Sequence, residues 1–490
     1  MKHGKPSTIK LNFTVNVIGM AAPVVIALVT IPIYVTYIGL ARYGVLSIVW
    51  ILLGYFGLLD FGLSRASANA LAKLVHASQS ERARVVVTAL HLNLWLGAAG
   101  GTVLYFGGGL LLQQMLGASD ALHAEIEAAL PWIAAMLPLA MLTGVGRGAI
   151  ESRENFLAVN VLDLAGMALG QTLPIIFAVV VGPSLAIVIP AAFLARAAST
   201  GMTLVFVARV ENISTLRVLD RARMRELMGF GAWVSVTNVV GPLLTSIDQL
   251  LIGSTLGAAA VAHYAVPMSL ATRSLIIAGA LSRTLFPRFS RLEPKDAKEL
   301  AVRSVVSLGY CLGAICGPAI ILCGSFMTLW MGVDFATWSA PVMELLMVGA
   351  WVNGLAFIPF SLLQGQGRPD VAAKLHVLEF IPFIVVLWVL LHQYGLMGAA
   401  LAWTARVATD AALMLHAARI RMRELLRLSP VMVLVAGAYT IAQPYDVAPL
   451  WSLLAAVCVL VGVAVCAAVF DVTSRQMLLA LRGRLIAAAM

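Results

Sequence analysis

Apolar segments of about 18 or more residues recur along the whole chain, and each can cross the roughly 30 Å hydrocarbon core of a membrane. Hydrophobic residues make up 61% of the 490 positions and charged residues only 11%, whereas soluble domains carry roughly 25% charged residues. So few charges cannot cover a protein of this length in water. The sequence therefore predicts an all-α integral membrane protein.

These apolar segments predict about fourteen transmembrane helices. We expect the spans at 12–38, 43–64, 86–112, 129–146, 156–181, 185–208, 229–252, 258–287, 304–330, 340–363, 375–392, 397–416, 430–446 and 450–470. The first segment lacks a signal-peptide cleavage site, so it is expected to remain as a helix. All five cysteines lie inside apolar segments, and no disulfide is expected.

The basic residues predict the orientation of these spans. All but five of the 33 lysines and arginines fall at the N-terminus, at the C-terminus or in loops on the same side of the membrane as the N-terminus. The opposite side holds only Arg42, and the other four exceptions lie within spans. Because cytoplasmic loops are enriched in Lys and Arg, we expect a multi-pass protein of the bacterial inner membrane with both termini in the cytoplasm. The net charge of +10 is explained in this way and does not indicate nucleic-acid binding.

The two halves of the chain resemble each other. Matching runs, in chain order, are Asn16-Val17-Ile18-Gly19 with Asn238-Val239-Val240-Gly241, Tyr43 with Tyr264, Leu63-Ser64-Arg65 with Leu281-Ser282-Arg283, Val161-Leu162-Asp163 with Val377-Leu378-Glu379, and Ala195-Arg196-Ala197 with Ala405-Arg406-Val407. Their offset drifts slowly from about 222 to about 210 residues, as expected of an internal duplication.

Each copy contains six spans, an even number, so both copies enter the membrane in the same sense. We predict two six-helix lobes related by a parallel pseudo-twofold repeat, with a C-terminal hairpin appended. The expected boundaries are 1–208 for the N-terminal lobe, 209–428 for the C-terminal lobe, and 429–490 for helices 13 and 14 with a cytoplasmic tail. Two repeated lobes are a common transporter architecture, with the substrate site near mid-membrane.

Several cations lie inside the predicted spans, where an ionised side chain costs at least roughly 2.5–3.5 kcal/mol on insertion scales. Arg273 is central in its span, whereas Arg196 and Arg406 occupy equivalent positions in the two halves. Arg406 and Asp410 are four residues apart on one helix, so we expect them to pair. Cations without an obvious acidic partner suggest an anionic cargo, since arginine holds phosphate oxygens through two parallel hydrogen bonds.

The remaining candidates are polar groups and buried acids. The substrate-binding candidates are Arg273, Arg196, Arg406, Arg42, Asn16, Asn238 and Gln249. The ion-coupling candidates are Asp60, Asp163, Asp248, Glu379 and Asp410. Hydrogen bonds between helices are an equally good explanation for the two asparagines and the glutamine. Asp163 is also a candidate partner for Arg196, and the repeat places Glu379 beside Arg406 in the same way.

Motifs for enzymatic chemistry are missing from the sequence. It contains no GxxxxGK[ST] loop, no HExxH, no CxxC and no GxSxG motif, and its eight histidines are scattered. We therefore expect no catalytic residue, no metal site and no cofactor.

Two stretches resemble a known family. They are Asn16…Pro23…Ile31-Pro32-Ile33-Tyr34…Gly39…Tyr43-Gly44…Leu59-Asp60-Phe61-Gly62-Leu63, and Gln364-Gly365-Gln366-Gly367-Arg368-Pro369 with Tyr394-Gly395-Leu396-Met397-Gly398-Ala399-Ala400. They are similar to the polysaccharide transporter (Wzx-type flippase) family of the multidrug/oligosaccharidyl-lipid/polysaccharide exporter (MOP) superfamily, and the likeness extends over spans 1 to 12.

That resemblance implies a function. It implies a flippase that moves a polyprenyl-pyrophosphate-linked oligosaccharide across the inner membrane by alternating access, for O-antigen, capsule or exopolysaccharide synthesis. It also implies that cavity arginines bind the pyrophosphate, and Arg273 is the position that carries this role over. The expected partners are the lipid-linked oligosaccharide, membrane lipids, H⁺ or Na⁺ as coupling ion and the polysaccharide polymerase machinery.

Two other functions fit parts of the sequence. A cation-coupled multidrug exporter of the same superfamily would use Asp60, Asp163 or Asp248 as its ion site. A membrane enzyme that polymerises or ligates glycans would be expected to have a large outward loop rich in Arg or His. The longest predicted outward loop, residues 113–128, is short and acidic, which argues against the enzyme.

Overall fold

The computed structural model describes residues 25–56, 71, 74, 78–115, 120–153, 155–213, 224, 246–443, 449–471 and 475. These residues form helices and short connections, and none of them lies in a β-strand. The all-α prediction is therefore confirmed.

The described residues form fourteen helices and one 3₁₀ segment, which are numbered in chain order. They are α1 (Val25–Ile38), α2 (Leu40–Phe56), α3 (Gln79–Met115), α4 (Asp120–Glu151), α5 (Phe156–Val180), α6 (Leu185–Val210), α7 (246–256), α8 (Ala258–Arg273), α9 (Leu275–Phe289), α10 (Pro294–Met331), α11 (Val333–Gly365), α12 (Pro369–Ala417), the 3₁₀ segment (Met422–Leu428), α13 (Ser429–Ala442) and α14 (Pro449–Phe470).

Ten helical stretches in the described part are long and apolar enough to cross a membrane. One of these stretches is α8 and α9 together, and α1 and α2 are shorter apolar helices. The helices coincide with the predicted spans, except that α12 contains two of them and is broken at Gly395 (φ 58°, ψ −137°). The count of fourteen spans stays a prediction, because 12–38, 43–64, 229–252 and 430–446 lie partly outside the described residues.

The chain forms two compact units, Met1–Ala262 and His263–Met490. In the N-terminal unit, α4 packs against α3 and α6, and α5 packs against α6. In the C-terminal unit, α11 packs against α10, α12 and α9, while α13 and α14 pack on α10. The predicted lobe boundaries at 208 and 428 stay a prediction.

Glycines allow the closest helix contacts in both units. A Cβ added to Gly97 in α3 would lie 2.6 Å from the Cα of Pro138 in α4, which no side chain tolerates. In α10, Gly309, Gly313 and Gly317 form a GxxxGxxxG series, and a Cβ at Gly317 would lie 2.9 Å from Cγ1 of Val459 in α14. These small residues allow α10 to pack closely against the appended helices.

Ion pairs connect neighbouring helices at each end of the N-terminal unit. At one end, Arg42 donates to Glu125 through Nε (2.8 Å) and Nη2 (2.6 Å). At the other end, Arg82 and Arg153 both donate to the carboxylate of Glu211, at 2.7–3.0 Å. Helices α2, α4 and α6 therefore begin at the first end, and α3 begins at the second end, where α4 and α6 finish. Helix α3 thus runs opposite to the other three, as the span assignment requires.

The duplication is visible in the interactions within each unit. Two ion pairs in the first half have counterparts whose residues lie about 213 to 221 positions later. The counterpart of Arg42–Glu125 is the 2.8 Å hydrogen bond of His263 with Ser339, and the counterpart of Arg82–Glu211 is the 3.0 Å ion pair of Lys298 with Glu424. Glycines with positive φ recur in the same turns, Gly39 with Gly257 and Gly182 with Gly395.

Candidate functional site

Four ionisable side chains, including two buried acids, meet between the two arms of α12, 369–394 and 396–417. The break at Gly395 turns the chain back, so that residues on one arm contact residues on the other. Glu379 and His376 come from the first arm, and Arg406 and Asp410 from the second. These four residues are called the Glu379 cluster below.

The two acids of the cluster are poorly satisfied. Glu379 is 6% exposed and Asp410 is 8% exposed. Neither carboxylate oxygen of Glu379 has a hydrogen-bond partner among the described residues, and Asp410 Oδ1 lies 3.4 Å from His376 Nε2 as its ion-pair partner. Glu379 interacts electrostatically with Asp410, Arg406 and His376. Two neighbouring acids with free oxygen atoms can hold a proton or a small cation.

The expected pairing of Arg406 with Asp410 is wrong. The guanidinium instead lies over the ring of Phe383 on the opposite arm, 5.2 Å from its centroid, and Asp410 faces His376. A basic residue N-terminal to an acid is the weaker order for such a helix pair, and a cation–π contact offers the arginine an alternative partner. Arg406 Nε has no hydrogen-bond partner among the described residues, so the cation keeps a donor for another group.

A cavity of about 260 Å³ opens beside this cluster. Glu379, Arg406 and Thr409 supply its polar groups, and Leu378, Pro382, Phe383, Val386, Ala402, Ala405 and Leu413 complete its lining. The site therefore offers one cation, one acid and one hydroxyl group in an otherwise apolar pocket.

The equivalent site in the N-terminal unit is more fully paired. Asp163 accepts a 3.0 Å ion pair from Arg147, which also donates to Glu151 at 2.9 Å. Arg196 interacts electrostatically with the same Asp163, whose ion pair is with Arg147. We predicted that Arg147 lies in the loop after the 129–146 span, and its ion pair with Asp163 was not expected.

Arg273 is the last residue of α8, where Ser274 separates that helix from α9. Its side chain is half-buried, near the middle of the 258–289 stretch. The hydroxyls of Ser269, Thr272 and Ser274 donate to backbone carbonyls within one turn, at 2.7–2.9 Å. The centre of this span is therefore interrupted and polar, which suits a binding position.

The structure describes some of the other candidate residues but not all of them. Arg42 donates to Glu125, and Glu125 also accepts the Leu185 N–H at 3.0 Å. The Arg42–Glu125 pair therefore connects the starts of α2, α4 and α6. Asp248 is fully buried and accepts the backbone N–H of Gln249, whose own side chain is 5% exposed. Asn16, Asn238 and Asp60 lie outside the described residues.

His376 is the cluster member that sequence reasoning missed. It lies three residues before Glu379, and this spacing places both side chains on one helix face. This spacing could have identified His376 as a neighbour of Glu379 from the sequence alone. Across the described ranges, no three His, Cys, Asp or Glu side chains are grouped so that they could hold a metal ion.

Comparison with known proteins gives a relative that matches most of the chain. A putative O-antigen transporter from Shigella flexneri is 29% identical over 405 residues, which cover 81% of this chain and 95% of the relative.

Solved structures share the fold. The lipid II flippase MurJ in an inward closed conformation superposes with a TM-score of 0.76 at 11% identity, covering 95% of this chain and 100% of MurJ. An inward-facing multidrug resistance MATE family transporter of the MOP superfamily gives a TM-score of 0.64 at 15% identity, covering 85% and 99%. The architecture is thus that of MurJ and MATE transporters.

The family described as polysaccharide biosynthesis protein matches residues 37–322. This match covers more than half of the chain and includes helices from both compact units. The chain therefore belongs to the polysaccharide biosynthesis protein family.

Proposed function

We propose that this protein is a flippase that moves polyprenyl-pyrophosphate-linked oligosaccharide repeat units across the bacterial inner membrane by alternating access. The observation that carries the proposal is the match along 95% of a putative O-antigen transporter. The MurJ-like fold supports it, since MurJ is itself named a lipid II flippase. The product would be O-antigen, capsule or exopolysaccharide.

The pyrophosphate of such a cargo would be bound by cations in the membrane-spanning part of the protein. Arg406 stacks on Phe383 and has an Nε donor without a partner among the described residues. Arg273 lies at the interruption between α8 and α9. We assign both to the pyrophosphate, because a guanidinium can donate two parallel hydrogen bonds to phosphate oxygens. Arg196 is the weaker candidate, because Asp163 lies close to it.

The Glu379 cluster is the proposed coupling site. Glu379 and Asp410 are buried neighbours, and three of their four oxygen atoms have no hydrogen-bond partner among the described residues. Like charges in such surroundings are costly, so a proton or Na⁺ bound between them would stabilise the cluster. Release of that ion would strengthen the attraction between the acids and Arg406, and this change links the ion to the anion-binding arginine.

The same fold also occurs in multidrug exporters, so a cation-coupled exporter is the alternative. Such an exporter would bind its coupling ion at Asp60, Asp163 or Asp248 and would not need an arginine in the pocket beside Glu379. The unsatisfied Arg406 donor therefore favours an anionic cargo.

The proposal is tested by complementation. Deleting the gene is expected to remove the surface polysaccharide and to trap its lipid-linked repeat unit inside the cell. Wild type should restore export, whereas Arg273→Ala and Arg406→Ala should not, although both are present in the membrane at wild-type abundance. Arg303→Ala is the matched control, because Arg303 is 67% exposed and pairs only locally with Glu299.

The outcomes separate the candidate functions. If deletion leaves the polysaccharide intact and sensitises cells to cationic compounds, the exporter replaces the flippase. If deletion removes the polysaccharide but both arginine variants restore it fully, the flippase stands and the arginine assignment is wrong.

The cellular setting is also part of the proposal. We place the protein in the inner membrane with both termini in the cytoplasm, next to the polysaccharide polymerase machinery. Reporter fusions at each terminus test the orientation, and an active periplasmic reporter at either end would contradict it.

A further inference from the structure

A second buried acid lies apart from the Glu379 cluster, inside the C-terminal unit. Glu344 is in α11, eleven residues after Val333, so it lies about 16 Å along the helix from its first residue. Its side chain is 1% exposed. Neither the expected flippase activity nor the proposed coupling site uses it.

The surroundings of Glu344 contain no cation among the described residues. Gln443, at the end of α13, is its hydrogen-bond donor, through Nε2 to Oε2 at 3.4 Å. The titratable groups that face it are Cys323 from α10 and Tyr439 from α13, and both are neutral in their ordinary form. No lysine, arginine or histidine in the described part of α9, α10, α12 or α13 interacts with Glu344.

An ionised carboxylate in this position would have one long hydrogen bond and no counter-charge. Groups in such surroundings bind a proton rather than remain charged. A neutral carboxylic acid fits the site, since it needs few donors and the adjoining helix faces are apolar. The geometry therefore assigns the proton as the ligand of Glu344.

The position of the site indicates where the proton comes from. Gln443 directly follows α13, and Cys323 lies in the last third of α10. By the span assignment, these helix ends and the start of α11 all lie on the outer side. The proton would thus exchange with water on the side opposite the N-terminus.

The partners of Glu344 also indicate what protonation controls. Tyr439 and Gln443 belong to α13, which is part of the appended hairpin, and Cys323 belongs to the helix on which that hairpin packs. Ionisation of Glu344 would put a charge into this contact, and the charge would favour water entry between α11 and α13.

We propose that Glu344 is a proton-binding site, separate from the Glu379 cluster, and that its neutral form holds the end of α13 against α10 and α11. On deprotonation the O–H bond breaks, the electron pair stays on the carboxylate, and the proton passes to water on the outer side. The proposal does not depend on which cargo the protein moves.

Infrared difference spectroscopy tests the proton site directly. The full-length protein in lipid nanodiscs is titrated from alkaline to mildly acidic pH, and the carbonyl stretch of protonated carboxylic acids is recorded. Glu344→Gln should lose one band that wild type shows, and Glu344→Asp should move it. Glu299→Gln, which removes an exposed acid, should keep the band, and so should Glu379→Gln.

Labelling of Cys323 tests the link to α13. In a chain that retains only this cysteine, the rate of maleimide labelling at high pH should be greater with Glu344 than with Glu344→Gln. Ionised Glu344 disfavours the thiolate of its neighbour Cys323, so faster labelling with Glu344 would reflect easier access to the thiol and not its ionisation. A band that survives in both Glu344 variants overturns the proton site, and identical labelling profiles overturn the role in holding α13. If Glu344→Gln does not fold, the shifted band of Glu344→Asp decides the first question and its labelling profile the second.

Discussion

Replacing Glu211 by Gln is expected to destabilise the N-terminal unit more than any other single removal of an acid described above. Glu211 directly follows α6 and is 1% exposed. Its two oxygen atoms accept four hydrogen bonds, two from Arg82 and two from Arg153. Arg82 is itself 3% exposed, and it also donates to Leu71 O and Ser152 Oγ.

The magnitude follows from what the substitution leaves behind. The amide cannot neutralise Arg82, so a buried cation loses its counter-charge, which typically costs about 3–5 kcal/mol. The pKa of Glu211 gives a similar figure. Burial by itself raises this pKa, but the hydrogen bonds and charges of Arg153 and Arg82 more than offset burial and lower it from 4.5 to about 2. A shift of that size corresponds to about 3 kcal/mol.

The sign of the pH dependence is fixed by this lowered pKa. The stabilisation by Glu211 is fully present above its unfolded pKa of 4.5 and is lost as the pH falls toward its folded pKa of about 2. Wild type should therefore lose stability over this interval, whereas Glu211→Gln should lose less.

Reversible unfolding by SDS in mixed micelles measures the free energy of unfolding for each variant. The control is Glu299→Gln, whose pair with Arg303 is exposed and should contribute no more than about 0.5 kcal/mol. If Glu211→Gln unfolds at the same SDS fraction as this control, the reasoning about the buried pair is wrong.

Two glycine substitutions should also change stability in measurable ways. Gly97→Ala would force α3 away from Pro138 and should cost about 1–3 kcal/mol in the same SDS assay, whereas Gly170→Ala, which meets no atom within 4 Å, should not destabilise. Equal stabilities would contradict the close approach at Gly97. Gly395→Ala must adopt φ 58° and should cost about 1 kcal/mol, while Gly437→Ala in α13 should be neutral or stabilising by up to about 1 kcal/mol. A Gly395→Ala protein as stable as wild type would mean that the turn tolerates a side chain.

The helices and their repeat could be predicted because the signals are local. Apolar length marks each span, and the matched runs around Asp163 and Glu379 mark the duplication. The structure then places equivalent interactions at equivalent positions, as with Arg42–Glu125 and His263–Ser339.

The partners of the charged residues could not be predicted as well. Spacing along one helix suggested Arg406 with Asp410, but the break at Gly395 brings Phe383 and His376 to them from the other arm. Glu211 was not predicted as a counter-charge, because Arg82 and Arg153 meet it only through the packing of three helix ends. Contacts of this kind depend on how the helices pack, and the spacing of residues along the sequence does not show that packing.

The repeated pairs differ in strength, and the difference has an evolutionary consequence. A duplicated gene begins with two identical copies, each able to fold with the same internal braces. In this chain the first copy keeps two arginine–carboxylate braces, whereas the second has a neutral His263–Ser339 contact and a half-exposed Lys298–Glu424 pair. The stronger bracing has thus stayed with the first copy, and substitutions that weaken bracing should be tolerated better in the second.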